Sequence, residues 1–441
     1  MSGVRSFLQT QTRRGLTALA GRRTIDLTQL ERVPSRLTWP LQREGMDPVP
    51  RLGAVRAEEP VHRLTSFLGI TVWMVTGPDE VRAVLANEHD FSNDIRPLVG
   101  SRGSTTDGDI GGLGFTDPPE HSRLRRILTP SFTMHRLERL RPMISGIVER
   151  RLDELESRGP EVDLLAQFAF PVPFSVICDL LGLPGEDREG LRELVSARFD
   201  VTHGGQGSFG AVSESRKFLI ESTARQRRHP GDGLLGDIIR EHGDAISDFD
   251  LAGLADGVFT GGLETSASML ALGTAVLLDH PDDYAALAQH PERVEPTVEE
   301  LLRYLSVVQI AFPRFARREL TVGTERIRPG DVVVCHLAGA NRAGDPAADP
   351  DGFDADRPRS SHVAFGHGFH RCVGAELARM ELRIALPALA RRFPDLALAV
   401  PRAELDFRRL SIVYGVDALP VRLHPGRVGA SGSGSRQRSG T

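Results

Sequence analysis

Phe365-Gly-His-Gly-Phe-His-Arg-Cys-Val-Gly374, followed by Ala-Glu-Leu-Ala-Arg-Met-Glu-Leu382, is the stretch that decides the fold. Glycines at 366, 368 and 374 can adopt positive φ or let backbone approach a flat ligand, because no Cβ stands in the way. Leu377, Met380, Ile384 and Ala388 recur at three- and four-residue spacing, which predicts a helix directly after Cys372. A thiol at a helix N-terminus meets the positive end of the dipole and unbonded N–H groups, and both stabilise a thiolate. A thiolate wedged under a macrocycle needs small residues, an aromatic lid such as Phe365 and N–H donors to the sulfur. This loop offers all three.

The other two cysteines differ. Cys178 and Cys335 sit inside apolar runs, Pro173-Phe-Ser-Val-Ile-Cys-Asp-Leu-Leu181 and Val332-Val-Val-Cys335, and read as small core residues. Three cysteines spread over 441 residues are no disulfide framework, which fits a reducing, cytoplasmic setting. Two rival readings of the loop are weaker. His362, His367, His370 and Cys372 could be zinc ligands, but structural zinc sites usually draw closely spaced pairs from two places. A nucleophilic Cys/His enzyme would not need the glycines or Phe365.

Length and composition bound the rest. A chain of 441 residues with 40% hydrophobic and 26% charged content can bury a large core, as one big domain or up to three ordinary ones. The net charge is −5, so no global field favours nucleic acid or an anionic membrane. Lys217 is the only lysine, a bias that fits a GC-rich genome. No stretch approaches the roughly 18 consecutive apolar residues of a membrane span, and the N-terminus has no uninterrupted apolar region of the signal-peptide kind. Residues 1–34 are expected to be a flexible leader, 35–425 one domain, and the Gly/Ser-rich 426–441 a disordered tail.

Most of that domain reads as helix, with three- and four-residue apolar spacing over 121–157, 161–199, 211–227 and 233–241. The clearest helix starts at Ser247-Asp-Phe-Asp250, a capping-box-like signal, and runs to Asp279 before His280-Pro281. Strand patterns are few: 64–75, 319–337 as a hairpin, and 405–423. The expected class is α+β, mostly α, with a long central helix and small peripheral sheets. Within the long helix, Gly261-Gly-Leu-Glu-Thr-Ser266 sets two glycines side by side, at a cost of about 1 kcal/mol each relative to alanine. A helix tolerates that where something passes close to its backbone or where it opens locally. Glu300-Leu-Leu-Arg303 places opposite charges at i and i+3 on one helix face.

Phe365, Gly366, Gly368, His370, Cys372 and Gly374 fit the pattern F-G-x-G-x-H-x-C-x-G at every fixed position, and so the chain resembles the cytochrome P450 superfamily, over roughly residues 35–425. The resemblance implies a haem-thiolate monooxygenase fold with haem b (iron protoporphyrin IX) bound through Cys372. Gly261–Ser266 looks like the family's oxygen-activation motif, with Glu264 and Thr265 as its acid–alcohol pair. Glu300, Arg303 and Arg357 match its structural charge triad. His121, Arg125, Arg314 and His362 match positions that hold haem propionates, with Phe365, Gly366 and His370 completing the cofactor loop. Asn341-Arg342 is followed by Ala343, where relatives commonly carry aspartate.

With no flavin or iron–sulfur motif in the chain, the resemblance also implies electrons from a ferredoxin and its reductase. Arg371 and Arg379 are candidates to meet an acidic partner. The expected protein is a monomer acting on a mid-sized, mostly apolar small molecule in specialised metabolism, by hydroxylation or oxidative coupling. Pocket walls are expected from 88–112, 164–205, Asp256–Gly261, Val307–Phe312 and Ser411–Tyr414, with Asp256, Gln309 and Tyr414 as polar handles. A hydrogen-peroxide-driven peroxygenase and a haem gas sensor or carrier are the alternatives, the second having no need of Glu264 and Thr265.

Overall fold

A computed structural model describes residues 38–67, 69–94, 113–185, 187–192, 206–344, 349–358 and 361–425. The expected leader and tail lie outside these residues, as do 95–112 and 193–205 of the expected pocket walls.

The helix Asp248–Asp279 forms as its sequence predicts. Ser247 caps it by accepting the Asp250 N–H at 3.1 Å, and Asp248 and Asp250 place negative charge in the first turn, where the helix dipole favours it. From Ser266 to Leu277 every residue is buried, the mark of a helix enclosed on all sides. Helices Pro171–Leu181, Gln206–Arg228, Pro291–Leu305 and Ala375–Arg392 pack around it. By length and composition this helix could cross a membrane, yet 72% of its most apolar window lies inside the fold. Its hydropathy is that of a core.

The expected helical run 121–157 divides into Glu120–Leu128, Met134–Glu138 and Arg141–Arg158. Pro130 and Pro142 fall at the breaks, where the ring removes an N–H and restricts the residue before it. The next run opens on strand Glu161–Asp163 and a π-helical turn, Leu165–Ala169, before Pro171–Leu181.

The strand pattern at 64–75 resolves into an antiparallel pair, Val61–Phe67 with Ile70–Val75, turned at Gly69 with φ 79°. These two edge a five-stranded sheet. Val332–Cys335 runs parallel to Ile70–Val75 and antiparallel to Arg314–Ala316, which also pairs with Phe91–Ser92. Of the hairpin expected over 319–337, only Leu320–Val322 and Glu325–Ile327 pair with each other, because Val332–Cys335 is taken into the five-stranded sheet instead. Of 405–423, only Pro420–Arg422 is a strand, between Ala397–Leu398 and Glu161–Asp163. The fold is α+β and mostly α, as expected.

Glu300 and Arg303 are each only 5% exposed. Arg303 donates Nε to Glu300 Oε2 at 2.7 Å and Nη2 to Oε1 at 2.8 Å. Its other donors reach the carbonyls of Asn341, Pro350 and Gly352 at 2.8–2.9 Å, so all five guanidinium hydrogens are used. Arg357 Nε joins Glu300 Oε1 at 3.1 Å, and the Asp354 N–H does so at 3.0 Å. The triad thus ties helix Pro291–Leu305 to the segment that leads into the cysteine loop. Arg342, beside the Ala343 departure, is fully buried, with its guanidinium 4.0 Å from the Tyr304 ring centre.

Removing one partner of a buried, hydrogen-bonded ion pair strands the other charge, at a cost of about 3–5 kcal/mol. Glu300→Ala is therefore expected to lower unfolding stability by about that amount, measured by urea denaturation. A second prediction concerns Glu381, 2% exposed on the inner face of helix Ala375–Arg392. Burial raises its pKa to about 8, opposed in part by a bond from Ser266. The folded state then holds a proton that the unfolded state releases above the ordinary carboxyl range, so stability falls with rising pH up to about 8. Glu381→Gln should flatten that decline, by on the order of 1 kcal/mol per pH unit, in thermal unfolding followed from pH 5 to 8.

Candidate active site

The cysteine loop is built as its glycines allow. Gly366 and Gly368 take φ of 70° and 69°. A Cβ on Gly368 would stand 2.5 Å from the Leu85 carbonyl oxygen, so the loop presses against helix Pro78–Ala86 as only glycine permits. Gly374 keeps a negative φ and has a different use: its N–H bonds the Cys372 sulfur. The Cys372 N–H in turn donates to Phe365 O at 2.9 Å, and helix Ala375–Arg392 follows at once.

Cys372 is exposed, whereas Cys178 and Cys335 are buried. Crowding by protein atoms raises its pKa, while the Gly374 N–H and the guanidiniums of Arg125, Arg371 and Arg379 pull the other way. Burial, the largest cause, pushes the remaining two thiols up to about 12, which leaves them inert. Among the described residues no group of three or more His, Cys, Asp and Glu side chains is arranged to hold a metal ion. His362, His367, His370 and Cys372 do not form a zinc site.

Four predicted cofactor residues come together. Helix Glu120–Leu128 presents His121 and Arg125, strand Arg314–Ala316 presents Arg314, and the loop presents His370. The His121 and His370 rings lie 4.2 Å apart. Burial, with Arg125 and Arg314 adding repulsion, lowers His121 to about 4. Burial, with His121, Arg314 and Arg125 adding to it, lowers His370 to about 2. His121 Nε2, His370 Nε2 and Arg314 Nε are buried with no hydrogen-bond partner. Buried polar atoms are rarely left so. Unpaired buried nitrogens beside the guanidinium cations of Arg125 and Arg314 call for an anion, and the carboxylates of a propionate-bearing macrocycle fit them. Cys372 has the soft sulfur that would suit iron in such a site.

His362 stands apart from this group. Its Nε2 pairs with Glu299 Oε2 at 3.1 Å, and its Nδ1 accepts the Ala364 N–H at 3.2 Å. Both ring nitrogens serve the loop's own structure. Phe365 has the Arg379 guanidinium 4.6 Å from its ring centre. Arg379 is 13% exposed and bonds Glu299 and Glu376, so of the two arginines expected to meet a partner only Arg371, at 47%, faces outward.

On the central helix, Gly262 lies against helix Pro171–Leu181, where a Cβ would come within 3.0 Å of Ile177. Gly261 faces open space, and its carbonyl accepts the Thr265 hydroxyl at 2.8 Å. Glu264 pairs with Arg408 at 3.0 Å, and Arg408 also meets Asp417 at 3.2 Å. The adjacent Glu264 and Thr265 thus have separate partners in this structure. Nothing in the local sequence points to Arg408, because that contact spans 144 positions.

Two of the expected polar handles are structural. Gln309 is 1% exposed, accepts from Arg43 at 2.8 Å and donates to the carbonyls of Leu41 and Ser411. Tyr414 is buried and donates to Gly45 O. Their polarity is spent on the N-terminal segment. The apolar side chains that remain accessible nearby are Phe312, whose ring centre is 4.6 Å from that of Phe115, and Ile412.

The Cytochrome P450 family model matches residues 59–229 and 210–397. Cytochrome P450 165C4 of Amycolatopsis orientalis is 40% identical over 351 residues, 79% of this chain and 86% of the relative. Cytochrome P450 monooxygenase PikC of Streptomyces venezuelae is 37% identical, over 86% of this chain and 92% of its own. The crystal structure of OxyC, a cytochrome P450 implicated in an oxidative C–C coupling reaction during vancomycin biosynthesis, superposes with a TM-score of 0.77 at 39% identity, over 87% and 95% of the two chains. Likeness of that extent, running through both the cysteine loop and the glycine-bearing centre of the long helix, places the chain in the cytochrome P450 family, the haem-iron monooxygenases.

Proposed function

We propose that the chain binds haem b through the Cys372 thiolate and oxidises a mid-sized, mostly apolar small molecule in specialised metabolism. One observation carries the reading: an exposed cysteine, hydrogen-bonded at a helix start, lies in the same site as an Arg314 N–H and two imidazole nitrogens that are buried without a partner. His121, Arg125, Arg314 and His370 would hold the propionates, with His362 and Gly366 shaping the loop and Phe365 covering it. When bound, the haem supplies dioxygen activation, using two electrons and two protons from outside to insert one oxygen atom and release the other as water.

The protein's share is ligation, proton supply and placement of the substrate. Thr265 donates its hydrogen to Gly261 O, which leaves its oxygen able to accept a hydrogen bond. Glu264 carries protons from solvent once it exchanges its Arg408 partner. Phe312, Phe115 and Ile412 offer apolar surface to the substrate, in keeping with its expected character. Hydroxylation and oxidative coupling both suit the site; the kinship with OxyC supports including coupling. A ferredoxin and its reductase are the proposed electron donors, and the chain is proposed to act in the cytoplasm as a monomer.

Three outcomes are expected. The reduced, carbon-monoxide-treated protein shows the red-shifted Soret band that marks sulfur ligation, and Cys372→Ser abolishes it; its absence from the unaltered protein would defeat the reading. Arg314→Leu weakens haem retention about ten- to hundredfold, as expected for loss of a charge-assisted bond worth roughly 1.5–3 kcal/mol, measured by haem transfer to an apo-globin acceptor. Thr265→Ala lowers product formation on the order of a hundredfold, with the electrons consumed appearing as hydrogen peroxide. Full turnover on added peroxide, without electron donors, would favour the peroxygenase alternative instead.

A further inference from the structure

The side of the loop that carries Phe365 holds a dense set of opposed charges. Arg379 donates Nε and Nη2 to the two oxygens of Glu299 at 2.7 and 2.9 Å, and Nη1 to Glu376 at 2.9 Å. Arg371 reaches the same Glu376 at 3.6 Å. Arg383 meets Glu299 at 3.3 Å and Glu295 at 3.5 Å. Glu299 also takes the His362 contact. Burial by itself would raise the Glu299 carboxyl, but the bonds from His362 and Arg379 hold it far below the usual carboxylate range, so it is charged. Helix Ala375–Arg392 therefore contributes two guanidiniums, Arg379 and Arg383, beside Arg371 of the loop, and carboxylates from two helices compensate them.

Two of these cations lie beside Cys372. Arg371 precedes it in the chain, and Arg379 stands 4.6 Å from the ring centre of Phe365, whose carbonyl accepts the Cys372 N–H at 2.9 Å. The two cations share Glu376. A positive charge near a metal-bound thiolate withdraws electron density and stabilises an added electron, whereas a carboxylate does the reverse. Resting on the reading of Cys372 as iron ligand, we propose that Glu299 and Glu376 are positioning residues that trim the positive field at this sulfur and thereby set the potential at which the bound iron accepts its first electron. Glu299 fixes where the Arg379 charge sits against Phe365. Glu376, more exposed, offsets Arg379 and Arg371 together.

The test is a mediator titration of the haem-loaded, substrate-free full chain with dithionite, which delivers one electron to each iron and bypasses any protein partner. Because Glu299 also braces the fold, Glu376 and Arg371 carry the experiment. Glu376→Gln should raise the midpoint potential, toward about a tenfold shift in the reduction equilibrium, which is about 59 mV for a one-electron couple. Arg371→Gln should lower it, and Glu376→Asp should restore the original value. Both shifts should shrink at high ionic strength, since these groups are partly solvated. The proposal is overturned if the two charge-changing variants keep the carbon-monoxide band yet leave the potential unmoved, or if they shift it in the same direction. Absence of that band in the unaltered protein would overturn the ligand assignment as well, and is thus a separate result.

Discussion

Glu300 is a charge placed where water cannot reach it, and the molecule is arranged around that difficulty. Its carboxylate is met by two guanidiniums and a backbone N–H. Those donors come from two parts of the chain: Arg303 from the helix itself, and the Asp354 N–H and Arg357 from one turn, closed by the Arg357 N–H on Asp354 O at 3.0 Å. Arg303 spends its remaining hydrogens on the carbonyls of Asn341, Pro350 and Gly352. Burying such a set gains little net stability over apolar packing. It gains geometry, because only one arrangement leaves no member unpaired.

That geometry is passed to the cysteine loop by short steps. The loop is bound on one side to Glu299, the neighbour of Glu300, through His362 and Arg379. Val363 N–H bonds Asn341 Oδ1 at 2.7 Å, and the Asn341 carbonyl accepts from Arg303. The five-stranded sheet delivers Arg314, and the chain entering helix Glu120–Leu128 delivers His121 and Arg125. Rigid elements thus supply most of the donors, which suits a site meant to hold a large planar group in one orientation.

Much of this was legible in the sequence because it is local. The cysteine loop lies within ten consecutive residues, Glu300 and Arg303 are one helical turn apart, and the long helix announces itself by its cap and its end. What sequence could not give was pairing across distance. Glu264 and Thr265 look like one functional unit in the chain, yet folding gives the acid to Arg408. Gln309 and Tyr414 have the polarity of ligand contacts, but Leu41, Arg43 and Gly45 near the start of the described chain claim them. His362 sits in the right segment to face a propionate, and Glu299 takes it. In each case a polar group expected to face a ligand or carry protons has a distant residue as its partner in this structure. Strand ends were missed for a related reason: pairing, not propensity, decides which part of 405–423 becomes sheet.

The contact at Gly368 bears on how parts of this molecule could be exchanged. With less than a side chain's width between that glycine and the Leu85 carbonyl, the cysteine segment and helix Pro78–Ala86 are mated surfaces cut to one another. Grafting residues 78–86 of a relative onto this chain would set a foreign helix against that glycine, and a misfit of even a fraction of an ångström would be felt at position 372. Chimeras that keep residues 78–86 and 365–374 from one parent should tolerate a crossover; those that divide them should not.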